Sequence, residues 1–303
     1  MTKPILHINA GVGWSATKPL CYTLDNIGYC HHNFASEKKG SGTEPNMLYY
    51  LYARKYKPVH ARYYWHTEHK HRGHDFVRKN TTLGWYIQYI KSHLRDGYKG
   101  VCDFSNSNTH LPLKFLLEIA PRLEEEFDVR VTTIWRHPVR RSYSELSTFY
   151  RHYTNNVDAP SQWKIRDSAK KTKWRDIKSI YSDSISFWKS QLDTPSYNVP
   201  DYVDVYNTWS KAFSKVYPVI MEEVWADPSS LSDFIGHKIE KMHDNVYYPE
   251  RGTKRPEIQG LRDQWSSDLQ DLSDDDLTYG KNKLFWLYEK YKSKFGEIPR
   301  QWQ

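Results

Sequence analysis

The sequence predicts an α/β fold in which a central, mostly parallel β-sheet is flanked by helices. Short apolar stretches rich in β-branched residues alternate with longer stretches of helical apolar spacing along the 303 residues. Turns containing glycine, proline or polar residues separate these stretches. A hydrophobic content of 38% with a charged content of 26% fits a globular chain with a sizeable core.

The predicted elements follow one another in strand and helix order. Strands are predicted at residues 4–9, 98–104, 129–135 and 217–224. Helices are predicted at residues 18–27, 47–56, 83–95, 111–127, 138–150, about 173–191, 202–216, 227–239 and 274–294. Residues 28–46, 155–172 and 245–262 are predicted to be loops or irregular segments.

The first three predicted strands end at residues 10–13, 103–105 and 135–136. In parallel α/β sheets, ligands bind at the carboxyl ends of the strands. We therefore expect these three strand ends to converge on one site.

The chain is predicted to be a single domain over residues 1–303, with helical or loop insertions around 35–82 and 153–215. No apolar stretch of the sequence approaches the roughly 20 residues that cross a bilayer. The N-terminus has no signal-peptide pattern. We therefore expect a soluble, cytoplasmic protein that does not bind membranes. Its cysteines are expected to be reduced thiols, since they lack metal-ligand spacing; they are Cys21, Cys30 and Cys102.

The net charge of +8 predicts an anionic ligand. Aromatic residues make up 16% of the chain, which suits surfaces that stack on sugars or bases as well as an aromatic core. The positive charge is spread along the chain and no nucleic-acid-binding module is recognisable. We therefore predict an anionic cofactor and no nucleic acid, and a nucleic-acid-binding protein stands as an alternative hypothesis. The sequence does not indicate an oligomeric state.

The stretch "HINAGVGWSATKPL", residues 7–20, is typical of a loop that cradles a phosphate. An apolar strand runs into Gly11 and Gly13, and a helix is predicted to begin near Pro19. Backbone N–H groups at the start of such a helix bind anions, and hydroxyl and ammonium groups nearby add donors; here they come from Ser15, Thr17 and Lys18. The loop does not spell the nucleotide-kinase pattern G-x-x-x-x-G-K-[ST].

The stretch "TTIWRHPVRRSYSEL", residues 132–146, is a second candidate anion site. Arg136 stands at the predicted strand end and Pro138 at the first position of a helix. Ser144 follows Arg136 by eight residues, about two helical turns into that helix. A guanidinium and a hydroxyl so placed can hold one phosphate. Arg140 is interpreted as a solvated residue.

Together these two stretches resemble the sulfotransferases that use 3′-phosphoadenosine 5′-phosphosulfate (PAPS). The second stretch matches the family pattern R-x-P-x-x-R-x-x-S at Arg136, Pro138, Arg141, Tyr143 and Ser144. A third likeness, "YPVIMEEVWADPSSLSDFIG" at residues 217–236, is similar to a late strand of the family and the helix after it. The resemblance implies a P-loop-like sulfotransferase fold. It also implies transfer of a sulfuryl group from PAPS to a hydroxyl or amine, with 3′,5′-diphosphoadenosine (PAP) as product and no metal.

The resemblance also implies roles for residues. The family's first loop holds the 5′-phosphosulfate, which points to Gly13, Trp14, Ser15, Ala16, Thr17 and Lys18. The arginine and serine of the second element hold the 3′-phosphate, which points to Arg136 and Ser144. Trp14 replaces the family's basic residue, so Lys18 is predicted to supply that cation. "PERGTKRP" resembles a late family segment that closes on the nucleotide, which points to Arg251, Gly252 and Lys254.

A general base must take the proton of the acceptor hydroxyl. In the glycan and tyrosine sulfotransferases of this family a glutamate follows the first loop and precedes a helix. The resemblance therefore implies Glu44 as the preferred candidate, ahead of Glu37, and Asp103 at the second strand end is a third. A run of histidines is predicted to form a polar acceptor-binding or lid surface rather than a metal site, with a histidine base as an alternative; it comprises His60, His66, His69, His71 and His74.

Two questions stay open at the level of the sequence. The class of acceptor is open: it is a small molecule such as a phenol, a glycan, or a peptide such as a tyrosyl peptide. The alternative enzyme is a P-loop kinase or nucleotidase, in which Lys18 binds ATP and Asp103 is a magnesium ligand.

Overall fold

The computed structural model describes residues 2–13, 15, 17–32, 46–56, 82–154, 180–194, 197, 199–243 and 272–303, with the backbone alone at 32 and 151–154. These residues form a five-stranded sheet of order β2-β3-β1-β4-β5, in which every pairing is parallel. The strands are β1 (Ile5–Asn9), β2 (Cys30–His32), β3 (Gly100–Asp103), β4 (Asp128–Trp135) and β5 (Val216–Ile220). The predicted α/β fold with a parallel sheet is confirmed.

Helices follow the strands and cover the sheet. They are α1 (Thr17–Asn26), α2 (Met47–Tyr56), α3 (Leu83–Ser92), α4 (Leu113–Glu126), α5 (Pro138–Thr154), α6 (Ser184–Leu192), α7 (Tyr202–Ser210), α8 (Met221–Ala226), α9 (Ser229–Ile235), α10 (Asp274–Lys283) and α11 (Phe285–Phe295). Short 3₁₀ helices span Asn106–His110 and Arg300–Trp302. No helix in the described part of the chain is long and apolar enough to cross a bilayer.

The side chains of β1 alternate between two hydrophobic cores, as the period of a strand requires. Leu6 and Ile8 pack with α2, α3, α4 and α7 on one face. Ile5 packs with α1 and α9 on the other face. Since both faces are covered, β1 is buried along its whole length. It therefore reads as a nearly continuous apolar run, which is typical of a central parallel strand.

A third hydrophobic cluster joins the end of β4 to helices α5, α6, α7, α10 and α11. Trp135, the last residue of β4, is fully buried and stacks on Tyr202 with 5.8 Å between ring centroids. Because Arg136 follows Trp135 directly, this packing fixes the point at which the chain leaves the sheet.

The structure corrects several predicted boundaries. The segment 28–46 was expected to be a loop, but Cys30–His32 form the edge strand β2, which is too short to show a period. The helix predicted at 202–216 ends at Ser210, and β5 begins at Val216. That strand ends at Ile220, so "MEEV" opens α8 instead of completing a strand. β5 is an edge strand, where Pro218 is tolerated despite its missing N–H.

Two further helical predictions also change. Residues 274–294 form two helices, because α10 ends at Lys283 and α11 begins at Phe285, with Leu284 between them. In the range where a helix is expected from about residue 173, a described helix begins at Ser184, with Asp183 as its N-cap, and ends at Leu192. Residues 155–179 and 244–271 lie outside the described residues.

The three cysteines come from α1, β2 and β3 and are buried together in one hydrophobic cluster. The Cys102 thiol donates to the Cys30 carbonyl oxygen at 3.2 Å. Burial raises the pKa of both Cys30 and Cys102. These thiols are therefore protonated and unreactive at neutral pH.

Candidate active site

The ends of β1, β3 and β4 meet at one edge of the sheet, as predicted. β1 lies between β3 and β4, and the chain crosses from one side of β1 to the other when it passes from β3 to β4. Such a change of direction is the place where parallel sheets bind ligands. The Asn106–His110 turn is bonded to the end of β1, since Asn108 Nδ2 donates to the Asn9 carbonyl at 3.2 Å and Thr109 Oγ1 to the Gly11 carbonyl at 2.7 Å.

Gly11 and Gly13 of the first loop have different surroundings. A Cβ on Gly11 would lie 2.6 Å from the backbone nitrogen of Ile134, so no larger residue fits against β4. At Gly13 the nearest described atoms to a Cβ would be those of Asn106, at 3.9 Å. Neither glycine has a positive φ, so a left-handed backbone is not the reason for either of them. Close approach to β4 explains Gly11.

The described residues of the loop end at the N-terminus of α1. Ser15 is fully buried, and its Oγ makes no hydrogen bond to any described residue. Thr17 is the buried first residue of α1, and Lys18 is exposed beside it. The structure thus brings a hydroxyl group and the first turn of a ten-residue helix to the carboxyl end of β1. Trp14 and Ala16 lie outside the described residues.

The second predicted element stands at the carboxyl end of the neighbouring strand β4. Arg136 follows β4, and Ser144 lies two turns into α5, partly exposed. The Tyr202 hydroxyl donates to the Arg136 carbonyl at 2.9 Å. Arg136 Nε is buried and makes no hydrogen bond to any described residue. Burial lowers the pKa of Arg136, but an arginine still carries its charge at neutral pH.

Glu222 anchors the turn between β4 and α5. One carboxylate oxygen accepts the backbone N–H of His137 at 2.9 Å, and the other accepts the indole N–H of Trp302 at 3.1 Å. The carboxylate also favours the charged form of Arg136. Sequence analysis placed the stretch around residue 222 in a strand and gave this residue no role in the site.

A direct hydrogen bond joins the two predicted anion sites. Arg141 Nε donates to the Gly13 carbonyl oxygen at 3.1 Å. Arg141 Nη2 forms an ion pair of 3.0 Å with Glu145. The sequence pattern includes Arg141, but sequence analysis assigned it no function. The contact with Gly13 depends on two residues that are far apart in the chain, and no local pattern indicates it.

Asp103 is fully buried, and protein donors occupy both of its carboxylate oxygens. Oδ1 accepts the Ser105 backbone N–H at 3.2 Å, the Ser105 hydroxyl at 2.7 Å and Asn108 Nδ2 at 3.5 Å. Oδ2 accepts the Tyr86 hydroxyl at 2.9 Å. Burial raises the pKa of Asp103, although these donors oppose that rise. A carboxylate so enclosed is well suited to organise the strand end and poorly suited to bind magnesium or an acceptor.

The start of α2 is tied to the same edge of the sheet. The Asn46 backbone N–H donates to Ser105 Oγ at 2.8 Å, and Ser107 Oγ donates to Asn46 Oδ1 at 2.6 Å. Asn46 has a φ of 54°, in the left-handed region that asparagine tolerates better than most residues. The Asp103 network therefore links α2 to β3 and, through Asn108, to β1.

Several predicted site residues lie outside the described residues. They are Glu37, Glu44, Arg251, Gly252, Lys254 and the histidines at 60, 66, 69, 71 and 74. Among the residues that the structure describes, no three His, Cys, Asp or Glu side chains are grouped so that they could hold a metal ion.

The five-stranded parallel sheet with this helical cover is the fold of sulfotransferase structures. The crystal structure of a sulfotransferase from Alicyclobacillus acidocaldarius is similar to this chain with a TM-score of 0.51 and 11% sequence identity. The similarity covers 100% of this chain and 99% of that one. At this identity the likeness establishes a shared fold.

Two further solved structures are similar over nearly their whole length. The sulfotransferase domain of the Synechococcus PCC 7002 olefin synthase is 15% identical, with a TM-score of 0.46 and coverage of 99% of this chain and 98% of that one. The sulfotransferase domain from the curacin biosynthetic pathway is 13% identical, with a TM-score of 0.42 and coverage of 95% and 98%. No protein-family model matches the sequence, and no curated protein matches it.

Proposed function

We propose that this protein is a sulfotransferase that moves a sulfuryl group from PAPS to a hydroxyl or amine of its acceptor. The observation that carries the proposal is the hydrogen bond between Arg141 and the Gly13 carbonyl, which joins two anion-binding elements at one sheet edge. A donor with a phosphate at each end of its ribose needs two such elements side by side. The shared fold with a sulfotransferase structure agrees with this reading.

In this proposal Arg136 and Ser144 hold the 3′-phosphate. The Arg136 guanidinium is partly buried, and its Nε has no described hydrogen-bond partner. A buried donor without a partner costs free energy, and a phosphate oxygen relieves that cost. Packing of Tyr202 and Trp135 holds the backbone at Arg136 in place, so the guanidinium needs little ordering when it binds.

The loop after β1 receives the 5′ end of the donor. Backbone N–H groups at the start of α1 and the hydroxyls of Ser15 and Thr17 face developing negative charge there. Lys18 is proposed as the loop cation and Glu44 as the general base. Transfer then needs positioning and electrostatic stabilisation more than covalent chemistry by the protein. The acceptor is proposed to be a glycan, a tyrosyl peptide or a phenol.

Nucleotide binding to the Arg136→Ala and Ser144→Ala variants tests the 3′-phosphate site. Both variants should bind PAP more weakly, but bind adenosine 5′-phosphate as the parent protein does. For the arginine the expected loss is about 1.5–3 kcal/mol, the value of a hydrogen bond to a charged group. Calorimetric titration measures both affinities.

Arg140→Ala is the matched control, since this arginine lies four positions after Arg136 in the sequence and is exposed. It should bind PAP as the parent does. Equal losses for both nucleotides in Arg136→Ala would remove the 3′-phosphate role. If ATP with magnesium stabilises the parent protein and PAP does not, the sulfotransferase proposal itself is wrong. Transfer of radiolabelled sulfate from PAPS to mixed glycans, tyrosyl peptides and phenols then identifies the acceptor class.

A further inference from the structure

Arg141 is a buried cation inside the candidate site. It lies in the first turns of α5 with 2% of its surface exposed. Arginine is almost never buried to this degree unless its donors are used. Nε is bonded to the Gly13 carbonyl and Nη2 to Glu145, while Nη1 is buried and makes no hydrogen bond to any described residue.

Glu145 holds the guanidinium in one orientation. Its Oε2 accepts Arg141 Nη2 at 3.0 Å and also the Tyr197 hydroxyl at 3.1 Å. Burial alone would lower the pKa of Arg141, but the Glu145 carboxylate and the hydroxyls of Tyr202 and Tyr197 raise it above its usual value. The cation is thus permanently charged and anchored on α5, with one face turned to the loop after β1.

The Gly13 carbonyl is the point at which Arg141 holds that loop. Gly13 stands two positions before Ser15 and four before Thr17, the first residue of α1. The hydrogen bond from Arg141 therefore holds the chain at the point where it leaves β1 and approaches α1. Gly13 itself has no side chain, and among the described residues a Cβ there would meet nothing closer than Asn106 at 3.9 Å.

We propose that Arg141 is a positioning residue for the first loop: by holding the Gly13 carbonyl it fixes the approach to Ser15 and to the first turn of α1, which bind the 5′-phosphate of the nucleotide. The inference rests on the proposed function. It separates the roles of two neighbouring arginines, because Arg136 acts on the 3′-phosphate and Arg141 acts on the 5′-phosphate through the loop.

A comparison of two monophosphates tests this division of roles. Arg141→Met removes the charge and keeps a long side chain, and Arg136→Met is its matched control. Arg141→Met should weaken binding of adenosine 5′-phosphate by roughly tenfold or more, because a loop that Arg141 no longer holds must be ordered when the nucleotide binds. It should leave binding of adenosine 3′-phosphate within about twofold of the parent, since the 3′ site is untouched. Arg136→Met should show the reverse pattern.

Arg141→Lys is the second variant, and it keeps the protein testable if the methionine variant does not fold. A lysine keeps the charge but cannot hold Gly13 and Glu145 with the planar fork of an arginine. It should therefore show a smaller loss, again selective for the 5′-phosphate.

Equal losses for both monophosphates in a folded Arg141 variant, or no loss at all, would overturn the inference and leave Arg141 a structural residue. A parent protein that binds neither monophosphate nor PAP would instead overturn the proposed function.

Discussion

The clearest test of how this site is built is the replacement of Asp103 by asparagine. Sequence analysis named Asp103 a candidate base, whereas the structure surrounds it with donors from Tyr86, Ser105 and Asn108. An asparagine can place its carbonyl oxygen toward Ser105 and Asn108. Its amide N–H then faces the Tyr86 hydroxyl, which can rotate and accept a hydrogen bond from it. All four contacts have a replacement in this geometry.

The expected loss of stability is modest, because two terms oppose each other. The contribution of each hydrogen bond to residue 103 falls from about 1.5–3 kcal/mol, for a charged acceptor, toward about 0.5–1.5 kcal/mol, for a neutral one. Against this, burial of a charged carboxylate costs several kcal/mol, and asparagine avoids that cost. We expect Asp103→Asn to lose about 1–2 kcal/mol of unfolding free energy. Asp103→Ala leaves buried donors without an acceptor and should lose about 4 kcal/mol or more.

The assay is denaturant unfolding of parent and Asp103→Asn over a range of pH. Burial raises the pKa of Asp103 in the folded state above its unfolded value. At a pH between the unfolded and the folded pKa, the folded state binds a proton on Asp103 that the unfolded state does not bind. The parent therefore gains stability relative to the variant as pH falls. The gain is complete below the unfolded pKa of about 3.9. A stability difference that does not change with pH would contradict this reading.

Turnover separates the structural role of Asp103 from that of a base. Asp103→Asn should keep most of its sulfuryl transfer, whereas Glu44→Gln should lose roughly a hundredfold or more, as removal of a general base does. Glu37→Gln is the control for Glu44, and it should remain active. A folded Asp103→Asn protein that binds PAP but does not turn over would refute the structural reading.

Two further predictions concern His7 and Lys18. His7 is fully buried with its Nε2 3.1 Å from Thr132 Oγ1, and burial together with Arg130 lowers its pKa to about 3. Below the unfolded pKa of about 6.5 only the unfolded state takes up this proton, so His7 should cost about 1.4 kcal/mol of stability per pH unit. The unfolding free energy of His7→Gln should therefore depend less steeply on pH between pH 6.5 and 5. An unchanged slope would refute the reasoning. Lys18→Ala should lower kcat more than it weakens PAP binding, because the contact of Lys18 strengthens as charge develops on the leaving phosphate. Full activity of this variant in steady-state assays would show that the loop works without the lysine.

Much of the fold can be predicted from the sequence because the local patterns agree with one another. β1, β3 and β4 are apolar runs of strand length, and α4 has the spacing of a helix with one buried face. The convergence of strand ends at residues 10–13, 103–105 and 135–136 follows once the sheet is parallel. The phosphate-loop character of residues 11–18 and the spacing of Arg136 and Ser144 are equally local, so they too can be recognised in the sequence.

Other features depend on distances between residues that are remote in the chain. β2 is three residues long and exists through its pairing with β3, which no periodicity predicts. The proline in β5 is acceptable because that strand lies at the sheet edge. The break at Leu284 likewise follows from packing, since this residue is buried in the cluster around Trp135.

The sequence by itself determined the type and order of the main elements and the residue types that face an anion, because periodicity, turns and charge are properties of neighbouring residues. Tertiary structure decided which of those residues act together. Arg141 and Gly13 are 128 positions apart, and Glu222 and His137 are 85 apart, yet each pair is within hydrogen-bond distance. The same holds for Asp103, which is a plausible base in the sequence and an enclosed acceptor in the fold. Burial and hydrogen-bond partners are set by chain segments brought together from a distance, and local patterns carry no information about them.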